Sequence, residues 1–384
     1  MNHVRMGIIG LGVQGGYHVA LFNEGKIKRA SVTAVCDILP ERLAPYAHLK
    51  TFTSSEEMIR SGEVDAVLIA TPHYDHTTIG IDALQHGVHV LVEKPISVHV
   101  ADAQRLIAAH TDPKVIFGAM FNQRTDPKYI KTKRLIASGE VGEIRRVQWT
   151  ITDWFRPGAY YASGGWRATW RGEGGGVLLN QCPHNLDLLQ WICGVPVKML
   201  AFCRFGKYHD IEVDDDVTAY FEYPNGATGV FITTTGEAPG TNRLEIAGDR
   251  GKVVLEGGKI TFTRTEMPVG EFSRTSKGTF SRPDVWNVEI PTPAGNGPQH
   301  AGITQNFVDA ILDGAPLIAR AEEGIHSLEL ANAMLYSTFL GRAVDLPLDA
   351  AGYEAQLKKL IATSRFEKKT AAADPTDVRT SFGS

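Results

Sequence analysis

The sequence predicts an α/β protein of two domains, the first built on a parallel sheet and the second on an antiparallel one. Short apolar runs alternate with helical stretches between residues 4 and 95, as in a parallel sheet covered on both faces. A glycine-rich turn, Gly10-Leu11-Gly12-Val13-Gln14-Gly15, follows the first run and opens a helix. From Ile144 onward the strands are longer and are joined by hairpin turns, which indicates an antiparallel meander of α+β type.

The first domain is predicted to span residues 1–122. Its strands are expected at apolar runs bounded by turn residues: Val4–Ile9, Ala30–Cys36, Ala66–Ala70, His89–Val92 and Val115–Met120. Its helices are expected at Gly15–Phe22, Thr77–Gln85 and 101–110.

The second domain is predicted to span residues 123–365. Its strands are expected at Ile144–Asp153, Val197–Phe205, Val217–Tyr223, Thr228–Thr235, Asn242–Ala247 and Lys252–Glu256. Helices are expected at Leu186–Ile192, 302–313 and 322–340, and the last of them could pack back on the first domain. The segment 270–297 is rich in Ser, Thr, Pro and Gly and is expected to be a long loop. Residues 366–384 are expected to form a mobile tail, or an arm that orders against a partner subunit.

Composition excludes several classes of function. The net charge is −4, from 39 basic and 43 acidic residues, and this balance predicts neither a nucleic-acid nor a membrane partner. The four cysteines lack CxxC spacing, so neither a zinc site nor a disulfide framework is expected. The N-terminal apolar stretch is interrupted by glycines, which is unlike a signal peptide, and a cytoplasmic location is expected. Asp214, Asp215 and Asp216 are interpreted as an exposed acidic turn and not as metal ligands.

The glycine-rich turn predicts a dinucleotide site. Gly10 permits the tight turn, Gly12 lets the backbone approach a pyrophosphate, and Gly15 lets the helix pack closely on the strand. The amides of Val13 and Gln14 would then face the phosphate charge at the helix N-terminus.

The end of the second strand predicts which dinucleotide binds. Asp37 can accept hydrogen bonds from both ribose hydroxyls and would repel a 2′-phosphate, so NAD is favoured over NADP. Arg42 is the one nearby group that could neutralise such a phosphate.

Thr71 and Pro72 end the third predicted strand, where the ribose and nicotinamide would pass. His73 and His76 follow at the start of a helix and are grouped with the cofactor site. His73 could reach the cofactor, whereas a capping or packing role is favoured for His76.

These motifs together resemble those of the Gfo/Idh/MocA oxidoreductase family. The resemblance rests on Gly10-Leu11-Gly12, Ala70-Thr71-Pro72, Glu93-Lys94-Pro95 and the glycine-rich run that ends at His184, and covers residues 4 to 348. It implies a Rossmann domain joined to a C-terminal α+β domain with a large, mostly antiparallel open sheet. It also implies a homodimer or homotetramer formed through the open sheet face, and a sugar or polyol substrate.

The resemblance assigns the catalytic roles. The family's EKP lysine falls on Lys94, which could hydrogen-bond the reacting oxygen and help move its proton, while Glu93 orients its neighbours. The catalytic histidine falls on His184, a suitable general base. Asn180 replaces an aspartate that members often carry. We expect it to share a helix face with His184, and the loss of the carboxylate to lower the pKa values of His184 and Lys94.

Residues between the domains are candidates for substrate binding. Asn122 and Arg124 end the strand that leaves the first domain, and Arg124 could hold a substrate oxygen or form an interdomain salt bridge. Asp187 could orient His184 or serve as a helix N-terminal carboxylate. Aromatic and cationic residues that suit a sugar follow: Trp154, Arg156, Tyr160, Trp166 and Arg167. The same composition also suits a subunit interface.

The sequence therefore predicts an NAD-dependent dehydrogenase that oxidises a secondary hydroxyl of a sugar, sugar derivative or cyclitol to a ketone. A redox-neutral glycosidase or lyase acting through a transient keto-sugar is the first alternative. A non-catalytic sugar- or nucleotide-sensing regulator is the second, and the presence of both Lys94 and His184 argues against it.

Overall fold

A parallel sheet of six strands organises the N-terminal part of the computed structural model, which describes residues 2–370. The strands are Val4–Ile9 (β1), Ala30–Cys36 (β2), Lys50–Phe52 (β3), Ala66–Ile69 (β4), His89–Val92 (β5) and Phe117–Ala119 (β6). Their order is β3-β2-β1-β4-β5-β6, with every pair parallel. This is the strand order of a Rossmann fold, and it places the strand ends that carry Gly10, Asp37, Thr71 and Lys94 at one edge.

Helices connect these strands, and short 3-10 turns at Ala44–Tyr46 and Asn122–Thr125 extend two of the connections. The helices are Val13–Asn23 (α1), Pro40–Leu43 (α2), Ser55–Arg60 (α3), His73–Gln85 (α4) and Val100–Ala108 (α5). Strand β3 was not expected, because it is three residues long and exposes its first two. Sequence periodicity needs a longer run to indicate a strand.

A mixed sheet of nine strands organises the second part of the chain. The strands are Ile144–Ile151 (β7), Lys198–Phe205 (β8), Asp214–Glu222 (β9), Thr228–Thr234 (β10), Asn242–Gly248 (β11), Gly251–Glu256 (β12), Lys259–Thr265 (β13), Val285–Ile290 (β14) and Val344–Asp345 (β15). Their order is β14-β13-β12-β11-β7-β10-β9-β8-β15. All pairs are antiparallel except β7 with β10, which run parallel, so the sheet departs from a simple meander.

Helices accompany this sheet. They are Pro127–Ala137 (α6), Gly158–Ala162 (α7), Pro183–Cys193 (α8), Val269–Thr275 (α9), Gln299–Asp313 (α10), Gly324–Leu340 (α11) and Ala350–Thr363 (α12), with a 3-10 turn at Ala321–Glu323. Of these, α6 and α11 pack directly on the sheet. Alternate residues of β7 and β8, such as Trp149 and Met199, are buried, and α11 packs on β8 and α8. The other face exposes Phe202 and Tyr220, as an open sheet would. These two sheets confirm the predicted fold class.

The segment 270–297 is not the long loop that its composition predicted. It contains most of α9 and all of β14, which pairs with β13 at the edge of the sheet. Trp286, Val288 and Ile290 alternate with polar residues as in a strand, but the composition of the whole segment favoured a loop, and the side chains of β14 are exposed apart from the last one.

The C-terminal helices lie against the first sheet. The amide of Ala119 donates to the carbonyl of Ala319 at 3.1 Å, α10 packs against β1 and β5, and α12 packs against α5. The predicted domain boundary after residue 122 therefore separates two sheets that share a helical layer. Residues 364–369 continue along the second part of the chain, where Lys369 pairs with Asp210 at 3.3 Å. The rest of the expected tail, residues 371–384, lies outside the described residues.

Within residues 2–370, the helices are all too short or too polar to cross a bilayer. The same residues contain no group of three or more His, Cys, Asp or Glu side chains arranged to hold a metal ion.

Candidate active site

The glycine-rich turn between β1 and α1 has the shape that a dinucleotide requires. Gly10 has φ +87°, and a Cβ at Gly15 would collide with the carbonyl of Gly10. No atom lies within 4 Å of the position that a Cβ of Gly12 would take, so the backbone there is open to a ligand. The turn also exposes Val13 at the start of α1.

Asp37 joins this turn to the end of β2. Its carboxylate accepts the amide hydrogens of Leu11 at 2.8 Å and Leu39 at 3.0 Å, and Arg42 lies 3.3 Å from the same group. The carboxylate therefore holds the glycine-rich turn. The neighbouring Ile38 is 81% exposed, an apolar surface beside Asp37 that sequence reasoning did not identify.

Two polar residues, Thr71 and His76, follow the end of β4. The hydroxyl of Thr71 is buried and has no hydrogen-bond partner among residues 2–370, as expected of a group that faces a ligand. His76 is buried, and its ring nitrogens lie 2.9 Å from the carbonyl of Thr71 and 2.8 Å from that of Pro95. His76 thus connects the segments that follow β4 and β5. This packing role replaces its predicted place among the cofactor contacts.

His73 connects the two parts of the chain. Its Nδ1 lies 3.3 Å from the carbonyl oxygen of Glu173, and its ring meets Trp166 edge-on at 5.2 Å. Burial, with smaller contributions from His76 and Lys94, holds the pKa of His73 well below its ordinary value.

Glu93 organises the floor of the site. Its Oε1 lies 2.7 Å from Nε2 of His18 and accepts from the amide of Gln14 at 3.1 Å, and its Oε2 accepts from the backbone of Lys94. Burial opposes ionisation of Glu93, but the hydrogen bond and charge of His18 outweigh it and hold its pKa well below its ordinary value. Glu93 therefore joins His18 and Gln14 of α1 to the backbone of Lys94.

Lys94 follows β5 and reaches the second part of the chain. Its Nζ donates to the backbone carbonyl of Asn180 at 2.9 Å, and the Lys94–Pro95 peptide bond is cis. Burial lowers the pKa of Lys94; the charge of Glu93 opposes this, and that of Arg167 adds to it. The ammonium is thus held at the carboxyl edge of the parallel sheet with an acidity above that of an ordinary lysine.

His184 lies in the first turn of α8, after Pro183. The ring is 2% exposed, and neither of its nitrogens has a hydrogen-bond partner within the described part of the chain. Burial and then the charge of Lys94 hold the pKa of His184 well below its ordinary value. The result is a buried, neutral imidazole whose two nitrogens are unpaired within the described residues.

Asn180 does not share a helix face with His184, because α8 begins only at Pro183. It lies in the preceding turn, where its backbone amide donates to the carbonyl of Gly176 at 2.9 Å. Its side-chain amide donates to Glu173, and its Oδ1 accepts from the hydroxyl of Tyr160 at 3.0 Å.

Glu173 is the site residue that sequence reasoning missed. It is buried, and its other oxygen accepts the amide hydrogen of Ala168 at 2.6 Å. Burial raises the pKa of Glu173, and the charge of Arg167 partly offsets this rise. A carboxylate is therefore still present, one hydrogen bond behind the position where family members often carry aspartate. The available signal was its place directly before the three glycines of the run.

The acidic triplet at the start of β9 is not an exposed turn. Asp214 and Asp215 are completely buried. Asp214 accepts the amide hydrogens of Gly176 at 2.6 Å and Leu178 at 2.9 Å, which fixes the glycine-rich run before α8. A Cβ at Gly176 would collide with the carbonyl oxygen of Asp214, so only glycine fits this approach.

Arg124 and Asp187 form a salt bridge with each other, so the substrate contact predicted for Arg124 and the orienting of His184 predicted for Asp187 give way to the structural alternatives. Two guanidinium nitrogens of Arg124 donate to the two carboxylate oxygens at 2.8 and 2.7 Å, and a third contacts Glu323 and the carbonyl of Ile318. Both side chains are buried, so neither faces a substrate. Asn122 donates to Gln299 at 2.7 Å, and its Oδ1 has no partner among the residues described.

The aromatic and cationic residues divide into a packed group and an open group. Trp154 is buried and donates its indole N–H to Asn185 at 3.1 Å, so its role is packing. Arg167 donates to the hydroxyl of Tyr160 at 2.8 Å and lies over the rings of Tyr160 and Trp166. Arg156 also lies over Tyr160. Arg156, Tyr160, Trp166 and Arg167 form the open group, which contacts Asn180 through the hydroxyl of Tyr160.

Two halves of the chain match the two domains of one family. Residues 4–121 match the oxidoreductase family with an NAD-binding Rossmann fold, and residues 129–254 match the GFO/IDH/MocA C-terminal domain. Together these ranges cover more than half of the chain.

Individual proteins agree with this match. The chain is 27% identical over 270 residues to a myo-inositol 2-dehydrogenase from Thermotoga maritima, covering 67% of this chain and 77% of that protein. It is 24% identical over 355 residues to an inositol 2-dehydrogenase from Rhizobium meliloti, covering 89% and 99%. The WlbA dehydrogenase from Chromobacterium violaceum, solved in complex with NADH and UDP-GlcNAcA, superposes with a TM-score of 0.78 at 27% identity, covering 91% and 97%.

The fold and the site thus define an NAD-binding oxidoreductase with a Rossmann domain and a mixed-sheet C-terminal domain. The chain belongs to the Gfo/Idh/MocA family.

Proposed function

We propose that this protein is an NAD-dependent dehydrogenase that oxidises a secondary hydroxyl of a sugar, sugar derivative or cyclitol to the ketone. The observation that carries the proposal is the approach of Lys94, at the end of β5, to the turn before His184. The ammonium of Lys94 donates to the carbonyl of Asn180, and neither nitrogen of the neutral His184 imidazole has a hydrogen-bond partner among the described residues. A hydrogen-bond donor and a proton acceptor on the same side of a carbinol are what this oxidation needs.

The residues present fit NAD. Gly12 has open space where a Cβ would lie, the buried hydroxyl of Thr71 lacks a partner among the described residues, and Asp37 ends β2 with a buried carboxylate. The turn would hold the pyrophosphate and Asp37 the ribose. NAD, when bound, supplies the hydride acceptor at nicotinamide C4.

The protein's own groups manage the proton of the hydroxyl. His184 would accept that proton, since its imidazole is neutral at working pH. Lys94 would hold the reacting oxygen by a hydrogen bond and share the proton, because its lowered pKa makes the transfer less costly. The carbinol thus loses one proton to the protein and one hydride to the cofactor, which balances the oxidation to a ketone.

The surrounding residues would orient the substrate. Glu173 fixes the amide of Asn180, so the Oδ1 atom faces Tyr160. Tyr160 and Trp166 offer ring faces for the apolar side of a pyranose or cyclitol. The named relatives support this substrate class, because they include inositol dehydrogenases and a dehydrogenase solved with a UDP-linked sugar derivative. The exposed sheet face that carries Phe202 and Tyr220 supports a homodimer or homotetramer.

The test is the formation of NADH, followed by absorbance, with the purified protein, NAD and a panel of sugars, glycosides and inositols. NADP is followed in parallel. The expected result is NADH formation on one substrate class that is abolished in Lys94→Ala. Consumption of glycosides without accumulation of NADH would contradict the proposal.

A further inference from the structure

The guanidinium of Arg167 is held in place by aromatic residues and forms no ion pair among the described residues. Its central carbon lies 4.5 Å from the ring centroid of Trp166 and 4.7 Å from that of Tyr160, and one N–H donates to the Tyr160 hydroxyl. Stacking on aromatic faces fixes the plane of an arginine side chain and limits the rotamer freedom lost on binding.

No carboxylate among residues 2–370 forms an ion pair with Arg167, although the charge of the nearby Glu173 acts on it. Its remaining N–H groups have no acceptor among residues 2–370, and none of the ion pairs there includes it. Arg124 shows the contrast, because its guanidinium is fully engaged by Asp187 and its neighbours. An oriented guanidinium with free N–H groups is suited to bidentate binding of an oxygen anion.

Other charged groups surround Arg167. Lys94 and Arg156 face the same region, and Lys368 approaches it by donating to the carbonyl of Tyr161. These three cations have carboxylates near them, with Glu93 beside Lys94, Asp153 near Arg156 and Asp210 near Lys368.

Arg167 is connected to the reacting groups by a short path. The Tyr160 hydroxyl accepts from Arg167 and donates to Oδ1 of Asn180, and the carbonyl of Asn180 holds Nζ of Lys94. The guanidinium therefore lies to one side of the reacting oxygen, where a substituent elsewhere on the same sugar ring would reach it.

We propose that the substrate is a sugar acid, and that Arg167 binds its carboxylate and so determines specificity. This rests on the proposed dehydrogenase function, since it names the substrate class of the same site. A single flat guanidinium matches one planar carboxylate. A phosphate dianion would bring a second negative charge near Glu173.

The experiment compares matched ligands that differ only at the acidic carbon. Binding of methyl glucuronoside, methyl glucoside and methyl glucoside 6-phosphate to the NADH-loaded full-length protein is measured by calorimetry, together with free and nucleotide-linked uronates and their neutral counterparts. We expect each uronate that binds to do so at least about tenfold more tightly than its neutral counterpart, the gain typical of one charge-assisted hydrogen bond. Arg167→Gln should remove most of this preference.

Arg171→Gln is the matched control, since Arg171 is an exposed arginine four positions further on, and it should keep the preference. If Arg167→Gln does not fold by circular dichroism, Arg167→Lys serves instead, because lysine keeps the charge without the planar fork. Equal binding of uronates and neutral sugars, failure of every uronate to bind, tighter binding of the 6-phosphate, or a preference that survives in the Arg167 variant would each overturn the inference.

The two proposals fail separately. Oxidation of neutral sugars without any preference for uronates would leave the dehydrogenase function standing and overturn the carboxylate site. Selective binding of uronates without reduction of NAD would support the carboxylate site and contradict the dehydrogenase function.

Discussion

Nζ of Lys94 donates a hydrogen bond of 2.9 Å to the backbone carbonyl of Asn180, so the end of β5 is tied to the turn before α8. Because the acceptor is backbone, the lysine is positioned independently of the Asn180 side chain. That side chain remains available for Glu173 and Tyr160. Asn180 thereby positions the ammonium of Lys94 through its backbone carbonyl, while its side-chain amide borders the proposed substrate region.

Replacing Lys94 with alanine should lower kcat without preventing cofactor binding. In the proposed mechanism the ammonium contacts the reacting oxygen and not the glycine-rich turn, so we expect a loss of about 10²- to 10⁴-fold in the rate of NADH formation. The dissociation constant for NADH, measured by fluorescence titration, should change by only a few-fold. Lys114→Ala, at an exposed lysine, is the control and should match the unmodified protein. A Lys94→Ala protein with full activity would remove this residue from the mechanism.

The pH dependence of kcat/KM should reflect the low pKa of His184. Burial and the charge of Lys94 both disfavour the imidazolium, so the pKa lies well below 6.5. The neutral ring is the active base, and it therefore persists as the pH falls through 6.5. We expect the acid limb of the profile to lie below pH 6.5 and to disappear in His184→Asn, with kcat reduced about 10²-fold. An acid limb centred at or above pH 6.5 would show that another group is titrating.

Most of the parallel sheet is predictable because each of its buried strands is a separate apolar run. The sequence places β1, β2 and β5 with the bounds that the structure has. Edge strands are different, since β3 is only three residues long and β14 lies in a segment whose composition resembles a loop, and both pair with a neighbouring strand. Pairing is a long-range property that local periodicity does not contain.

Site residues can be predicted where they stand in a recognisable motif. They cannot be predicted where their role depends on which groups the fold buries beside them. Lys94 and His184 stand in recognisable motifs. Glu173 and Asp214 look like ordinary surface carboxylates in the sequence, and only the fold brings them against Asn180 and the amides of the glycine-rich run. Arg124 is the opposite case. It stands where a substrate-binding residue is expected, but the fold pairs it with Asp187 of α8.

Replacing Glu173 with glutamine should shift the alkaline limb of the pH profile. The charge of Glu173 supports the ammonium of Lys94, whose pKa is already below 10.5 through burial. Removing that charge disfavours the protonated lysine further, so the alkaline limb of kcat/KM should move to lower pH. We also expect kcat to fall about tenfold while KM for NAD is unchanged. Glu24→Gln, at an exposed position, should change neither quantity. An unmoved alkaline limb would limit Glu173 to a purely structural role.

Replacing Asp214 with asparagine should destabilise the protein through the glycine-rich run. Each carboxylate oxygen accepts a backbone amide, from Gly176 and from Leu178, and asparagine would set an N–H₂ group against one of them. A buried donor left without an acceptor costs about 1–3 kcal/mol, and more where a charged group is involved. The urea midpoint should fall, with activity falling in parallel. Asp216→Asn is the control from the same triplet, since its ion pair with the exposed Lys207 is worth about 0–1 kcal/mol. Equal midpoints for the two variants would contradict this argument.

Asp37 holds the glycine-rich turn through the amide of Leu11, and we expect it also to select the cofactor; two substitutions should separate these roles. Asp37→Asn keeps an oxygen that can accept from Leu11 but removes the charge that would repel a 2′-phosphate. It also leaves Arg42, now 3.3 Å from that carboxylate, without its partner. The ratio of kcat/KM for NADP to that for NAD should therefore rise at least about tenfold. Asp37→Ala removes the acceptor as well, so it should weaken the binding of both cofactors. In Asp37→Asn combined with Arg42→Ala, the gain for NADP should shrink, because the cation available to the phosphate is gone. A ratio that stays constant across the three variants would mean that this carboxylate holds the turn and plays no part in selecting NAD.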